Sequence, residues 1–160
     1  MGVTQAAGLS LKWFRDNFCA AEKTAAEAMG VDPYDLLNKE AAQSPIGAHK
    51  LLYAPYLMGE RTPHLDADCR GMFFGLSGMH QRRDLLRAVM EGVTYSLKDC
   101  LNVLAGMGVA PAQMLACGGG GKSPLWRQML ADVFDCPVAT TVSTEGPALG
   151  AAILAGVGAG

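Results

Sequence analysis

The residues that promise chemistry are Gly118, Gly119, Gly120 and Gly121, followed at once by Lys122 and Ser123. Glycine has no Cβ and reaches positive φ, so a run of it lets the main chain approach a ligand closely. Exposed N–H groups there, and at the start of a following helix, favour an anion. The ligand class suggested is a phosphate or a nucleotide. The flanks fit: Gln113 to Ala116 can form a short buried strand, and Ser123 can cap a helix with Pro124 at its first position.

Ala116 to Ser123 comes within one residue of the P-loop pattern, with Ala116 where the first glycine belongs. In that reading Lys122 grips phosphate and Ser123 holds magnesium. Three features weigh against it. The next strand, Pro137 to Thr141, carries no Asp to hold the metal; little chain follows for the remaining strands; and Ser123 before Pro124 reads as a cap. A glycine-rich connection with no ligand is the plain alternative.

Other candidate groups have simple explanations. Glu91 follows Arg87 by four residues, the spacing of a surface ion pair on a helix. Glu60, Arg61 and His64 share a loop, where they either face a cleft or form a solvated ion pair. His49 and His80 lack metal-ligand spacing. Trp13 and Trp126 sit among apolar neighbours at helical spacing and read as core, while Lys122 is either a phosphate contact or an exposed lysine at a helix start. The five cysteines, Cys19, Cys69, Cys100, Cys117 and Cys136, are scattered and odd in number without CxxC spacing, which speaks against zinc or a disulfide framework and for reduced, mostly buried thiols.

The elements that must position these groups follow from periodicity. Ser10 can cap a helix carrying Leu11, Phe14 and Phe18; Thr24 to Met29 is helical up to Gly30; Asp32-Pro33 opens another helix that stops near Ser44-Pro45. Leu51 to Pro55 and Gly71 to Leu76 read as short strands on either side of a long loop. From Gln81 to Ala105 runs the clearest helix, with Leu86, Val89, Met90, Val93, Leu97, Leu101 and Leu104 along one face. Gly92 interrupts that face and implies close packing there. The strand at 113–117, the helix from 124, the strand at 137–141 and a last helix from Pro147 to about Gly156 complete the order. Strands alternating with helices predict a mainly parallel, layered α/β sheet.

At 160 residues, half of them hydrophobic, the chain fits one domain with a real core. A net charge of −2 gives no electrostatic reason to expect nucleic acid or a membrane surface. Neither a signal peptide nor an apolar run of membrane-spanning length is visible, so a cytoplasmic protein is expected.

Three further segments, together with the glycine run, carry a family resemblance. Gly71-x-Phe73-x-Gly75-Leu76, seven residues, then Asp84-Leu85-x-x-Ala88-Val89-Met90-Glu91 resembles the C-terminal signature of the FGGY carbohydrate kinases. Met58-Gly59-Glu60-Arg61-Thr62-Pro63-His64, with Asp66 and Arg70-Gly71, is similar to the loop of the xylulokinase branch. Gly118 to Asp132 resembles that branch's adenosine motif, where Gly121 often appears as Ala. Glu145-Gly146-Pro147-Ala148-Leu149-Gly150-Ala151-Ala152 resembles its closing helix, with Pro147 in place of the more usual Ala.

The resemblance implies an actin/hexokinase/Hsp70-like (ribonuclease H-like) nucleotide-binding lobe, here an incomplete sheet with helices packed on it. Residues 1–160 would be the C-terminal FGGY kinase domain, about a third of a family member. The sugar-binding lobe, the first hairpins of the second lobe with their phosphate loop, and the catalytic Asp would lie outside this sequence. No Asp here inherits that role, and no metal ligand is assigned. The cofactors implied for the whole kinase are ATP and Mg2+, with a sugar as acceptor. Gly118 and Gly119 match the glycines whose backbone passes the ATP phosphates, Gly120 and Gly121 count with them as cofactor-binding, and Ser123 matches a position beside the adenine. Gly8, Leu11 and Lys12, within Ala7 to Arg15, match the opposite wall near base or ribose. The leading expectation is an ATP-binding fragment of a xylulokinase-like enzyme, inactive alone. A non-catalytic binding or assembly module, such as a homodimer, and a P-loop NTPase are the alternatives.

Overall fold

The computed structural model of the chain describes residues 2–141 and 147–160. These fall into two compact units, residues 1–110 and 111–160. Glu145 and Gly146 of the closing-helix motif lie outside the described residues.

The first unit opens with helices α1 (Ala7–Phe18), α2 (Ala20–Met29) and α3 (Pro33–Ala41). Gly30, at φ 66, ends α2 in the left-handed conformation a helix C-cap favours. Asp32 caps α3, accepting from Tyr34 N at 2.9 Å, with Pro33 at N1 as the sequence predicts. Ser10 is not a cap. The helix begins at Ala7, and the buried Ser10 hydroxyl donates to Ala6 O at 2.6 Å, satisfying itself inside the first turns.

A hairpin-like pair, β1 (Leu52–Ala54) and β2 (Met72–Phe74), runs antiparallel with Tyr53 opposite Phe73. The long helix α4 (Arg82–Gly106) packs on β1, α1 and α3 and buries Leu86, Val89, Met90 and Val93 completely. Its start is fixed by Gln81 N–H, which donates to the Asp84 carboxylate at 2.8 Å. Gly92 lies directly on β1. A Cβ there would overlap Tyr53 O and stand 2.9 Å from its carbonyl carbon.

Between α3 and β1 the backbone reverses its handedness. Gly47, Ala48, His49 and Lys50 have φ of 79, 44, 54 and 69, so three residues with a Cβ sit in succession in the left-handed region. Side chains of α4 hold this turn. Glu91 Oε1 accepts from Gly47 N at 3.1 Å, and Arg87 Nη1 donates to Ser44 O at 3.0 Å.

The second unit contains β3 (Met114–Ala116), the short helix α5 (Gly118–Lys122), α6 (Pro124–Phe134), β4 (Val138–Thr140) and α7 (Pro147–Ala159). β3 and β4 pair in parallel, Leu115 opposite Ala139. The predicted mainly parallel sheet is therefore replaced, among the described residues, by one antiparallel and one parallel pair. The connections explain the split. β1 and β2 are joined by a loop, which permits antiparallel pairing, whereas β3 and β4 are joined through helices, the crossover that parallel pairing needs.

Candidate functional site

The candidate site grows from the end of β3. After Ala116 and Cys117, Gly118 takes φ 72, a value that a residue with a Cβ adopts only under strain. The glycine run then turns once as α5, so the expected loop is a single helical turn. Four glycines each cost about 1 kcal/mol relative to Ala in a helix, so this turn exists because its surroundings impose it. Gly121 is buried, and a Cβ there would stand 2.7 Å from Ala116 O. Trp126 lies against Gly120, with ring carbons 3.5 Å from the point a Cβ would occupy. Gly118 and Gly119 are exposed, and nothing stands within 4 Å of an added Cβ at either.

Ser123 ends this turn and starts the next. Its Oγ accepts from Trp126 N at 3.1 Å, and Pro124 follows at the first helical position. The buried Ser123 hydroxyl is thus engaged as the cap, which is the cap reading that weighed against a P-loop. Lys122 is exposed at the end of α5. Arg127 reaches back from α6, and its Nη1 donates to Gly121 O at 2.6 Å. That bond escapes a sequence reading because its acceptor is a main-chain carbonyl. The only signal was Arg127's place inside the adenosine motif.

Gly118 to Ser123 are therefore brought together in the second unit. Gly8, Leu11 and Lys12 belong to α1 of the first unit. There Gly8 and Lys12 are exposed, while Leu11 is buried in that unit's core. Trp126 is core, as its spacing predicts, and Trp13 is half-buried with its ring edge-to-face on Phe18 at 5.3 Å.

The polar residues of the first unit form structural clusters. Glu60 is only 4% exposed, so it is neither a cleft-facing group nor a solvated ion pair. Its carboxylate accepts from Thr4 Oγ1 at 2.6 Å, Gln5 N at 3.0 Å and Arg61 N at 2.7 Å. Arg61 is exposed, and His64 Nε2 pairs with Tyr56 OH at 3.1 Å. Arg87 and Glu91 do pair, at 2.7 Å, but the expected surface pair is buried, because the turn at Ser44 to Gly47 covers it. Burial alone would push the Asp84 carboxyl up. Hydrogen bonds from Ser44 Oγ (2.6 Å), Gln81 N and His49 outweigh it and hold the group below the ordinary carboxylate range. His80 accepts from Ser77 N at 2.9 Å. Both histidines are satisfied within the fold, and no group of three or more metal-ligating side chains occurs among the described residues. No described helix is long and apolar enough to cross a membrane.

Residues 1–159 match the family model described as the FGGY family of carbohydrate kinases, C-terminal domain. The chain is 43% identical over 160 residues to the xylulose kinase of Bacillus subtilis (strain 168), covering all of this chain and 30% of that protein. It is 42% identical over 154 residues to the gluconokinase of Bacillus licheniformis, covering 96% of this chain and 30% of that protein. The crystal structure of ligand-bound xylulose kinase from Lactobacillus acidophilus superposes with a TM-score of 0.80 at 34% identity, over 96% of this chain and 29% of that one. The chain thus spans about 30% of the length of the curated relatives it matches. Its fold is the actin/hexokinase-like fold of the sugar kinases. The chain belongs to the FGGY family of carbohydrate kinases and carries that family's C-terminal domain.

Proposed function

We propose that this chain is the ATP-binding C-terminal part of a xylulokinase-like enzyme. The whole protein would transfer the γ-phosphate of ATP to a hydroxyl of a ketopentose such as D-xylulose. The observation that carries the reading is the glycine turn at the carboxyl end of β3, within a parallel strand–helix–strand unit. Ligands of α/β sheets lie beyond the carboxyl ends of parallel strands. Exposed glycines there give phosphate oxygens access to main-chain N–H donors without a side chain in the way. Gly118 and Gly119 are assigned to the phosphates, with Gly120 and Gly121 shaping the turn and Ser123 beside the adenine. Gly8 and Lys12, exposed on α1, are assigned to base or ribose on the resemblance alone, and Leu11, matched with them, packs behind them in the core of the first unit.

In the whole kinase, magnesium-bound ATP supplies the phosphoryl group, and catalysis is mostly positioning and charge stabilisation. No residue of this chain is assigned to the metal or to general-base catalysis, so the chain by itself is proposed to be inactive. The choice of sugar rests on the likeness of Met58 to His64 to the xylulokinase loop, since a gluconokinase matches nearly as well. A cytoplasmic location fits this ATP-dependent reading and the five free thiols.

Calorimetric titration tests the proposal. The 160-residue chain is expected to bind ATP weakly, to show no response to D-xylulose and to give no signal in a coupled kinase assay. Robust turnover or tight D-xylulose binding would overturn it.

A further inference from the structure

A turn of four glycines and a lysine is too short and too flexible to stay helical on its own. Three contacts hold α5 in place. Gly121 packs on the Ala116 carbonyl, and the Trp126 ring lies against Gly120. The third contact is directional and charge-assisted: Arg127 Nη1 donates to Gly121 O at 2.6 Å, bracing the carbonyl end of the turn from the next helix. The backbone of Arg127 is itself fixed, because α6 is anchored at its start by the Ser123 cap and by Arg127 N, which donates to Ser123 O at 3.0 Å.

We infer that Arg127 is a positioning residue for the nucleotide: acting through the Gly121 carbonyl, it fixes the glycine amides before the phosphates arrive. The inference rests on the ATP-binding reading of the same turn. Glycine has more conformational freedom to lose than any other residue, so a free turn would have to be ordered by the ligand, at the expense of affinity. A turn already braced does not carry that cost. The adenine side depends on Ser123, whose place is set by the α6 cap, so the brace concerns the phosphates far more than the base.

Two measurements on the 160-residue chain decide the matter. The first is amide hydrogen exchange without ligand. Arg127→Met is expected to speed exchange at Gly121, Lys122 and Ser123, the amides bonded within the turn, at least tenfold, leaving 128–134 unchanged, and Arg127→Lys is expected to restore most of the protection. The second is titration with magnesium-ATP and, separately, with adenosine. Arg127→Met is expected to weaken ATP about tenfold (about 1.4 kcal/mol) and adenosine less than twofold. Unchanged exchange in Arg127→Met overturns the brace, whether or not nucleotide binds. Faster exchange spread equally through α6 also overturns it, as general destabilisation. Faster exchange confined to the turn, with ATP affinity unaltered, overturns the link to the ligand. A wild-type chain that binds no ATP, yet shows the exchange effect, refutes the ATP reading and the ligand half of the inference, leaving the brace itself supported.

Discussion

Replacing Gly92 by Ala should destabilise the first unit, although Ala is the better helix former. In α4 the change gains about 1 kcal/mol of intrinsic helix propensity. Against it stands a methyl group overlapping Tyr53 O, 2.9 Å from the Tyr53 carbonyl carbon and 3.1 Å from its Cβ. Carbon atoms in good contact stand about 3.5–4.0 Å apart, and the obstacle is main chain, which no rotamer change can move. Strand β1 must shift by more than about half an ångström, or α4 must lift from it. Overpacking costs about 1–3 kcal/mol and sometimes more. With the backbone as the obstacle, about 3 kcal/mol is appropriate, leaving a net loss of about 2 kcal/mol. At about 2.1 cal/mol/K per residue over residues 1–110, that loss lowers Tm by about 9 °C. Unfolding of all 160 residues together reduces the drop to about 6 °C. The assay is thermal unfolding followed by circular dichroism at 222 nm, with Gly106→Ala as the control. Gly106 ends the same helix with nothing within 4 Å of an added Cβ, so that variant should match or slightly exceed wild type. A Gly92→Ala chain melting at or above the wild-type temperature would refute the reasoning, because propensity alone would then have decided the outcome.

Asp84 should govern part of the acid limb of stability. Its folded pKa is lowered, so its contribution is present above the unfolded value near 3.8 and is lost as pH falls through the folded one. Urea unfolding at stepped pH should show Asp84→Asn less stable at pH 7 and flatter below about pH 4; an unchanged acid slope would count against the assignment. Only Cys19 and Cys100 are buried, not most of the five thiols as expected, so thiol reactivity should divide by burial. Burial pushes the Cys19 thiol up to about 11, whereas Cys117 is exposed beside the glycine turn. A disulfide reagent at pH 8 should modify Cys117 rapidly and Cys19 only on unfolding, as peptide mass mapping would show. Rapid labelling of Cys19 in the folded chain would contradict its placement.

What could be read beforehand was whatever depends on near neighbours in the chain. The apolar stripe of α4, the Ser123 and Asp32 caps and the closeness at Gly92 are all written within a few residues of themselves. Arg87 and Glu91 show the limit. Their spacing announces a pair, but a helix surface and a helix interior share the same spacing, and here burial depends on a turn some forty residues away. Glu60 looks like a loop charge until Thr4, 56 residues earlier, is found donating to it. Strand direction was misjudged for a similar reason: β1 and β2 fit an alternating order, yet no helix lies between them to force a crossover. In the glycine turn, the Ser123 cap was legible from type and order, while the bond from Arg127 was hidden because its acceptor is a carbonyl that any residue could offer.

The reversed turn at Gly47 to Lys50 has a consequence for how this chain tolerates change. Three L-residues are wound there in the sense natural to their mirror images, at roughly 1–2 kcal/mol each. Such a segment inverts the ordinary rules of substitution. Glycine or a D-amino acid at Ala48, His49 or Lys50 should fit more comfortably than the native residue, and β-branched residues should be the worst tolerated. Ala48, His49 and Lys50 have little intrinsic preference for this shape, so beyond the turn's own bonds, such as Lys50 N to Gly47 O at 2.6 Å, the stretch leans on α4 to receive Gly47 and Ser44. It would therefore be among the last parts of the first unit to order during folding, and among the first to report that α4 has come loose.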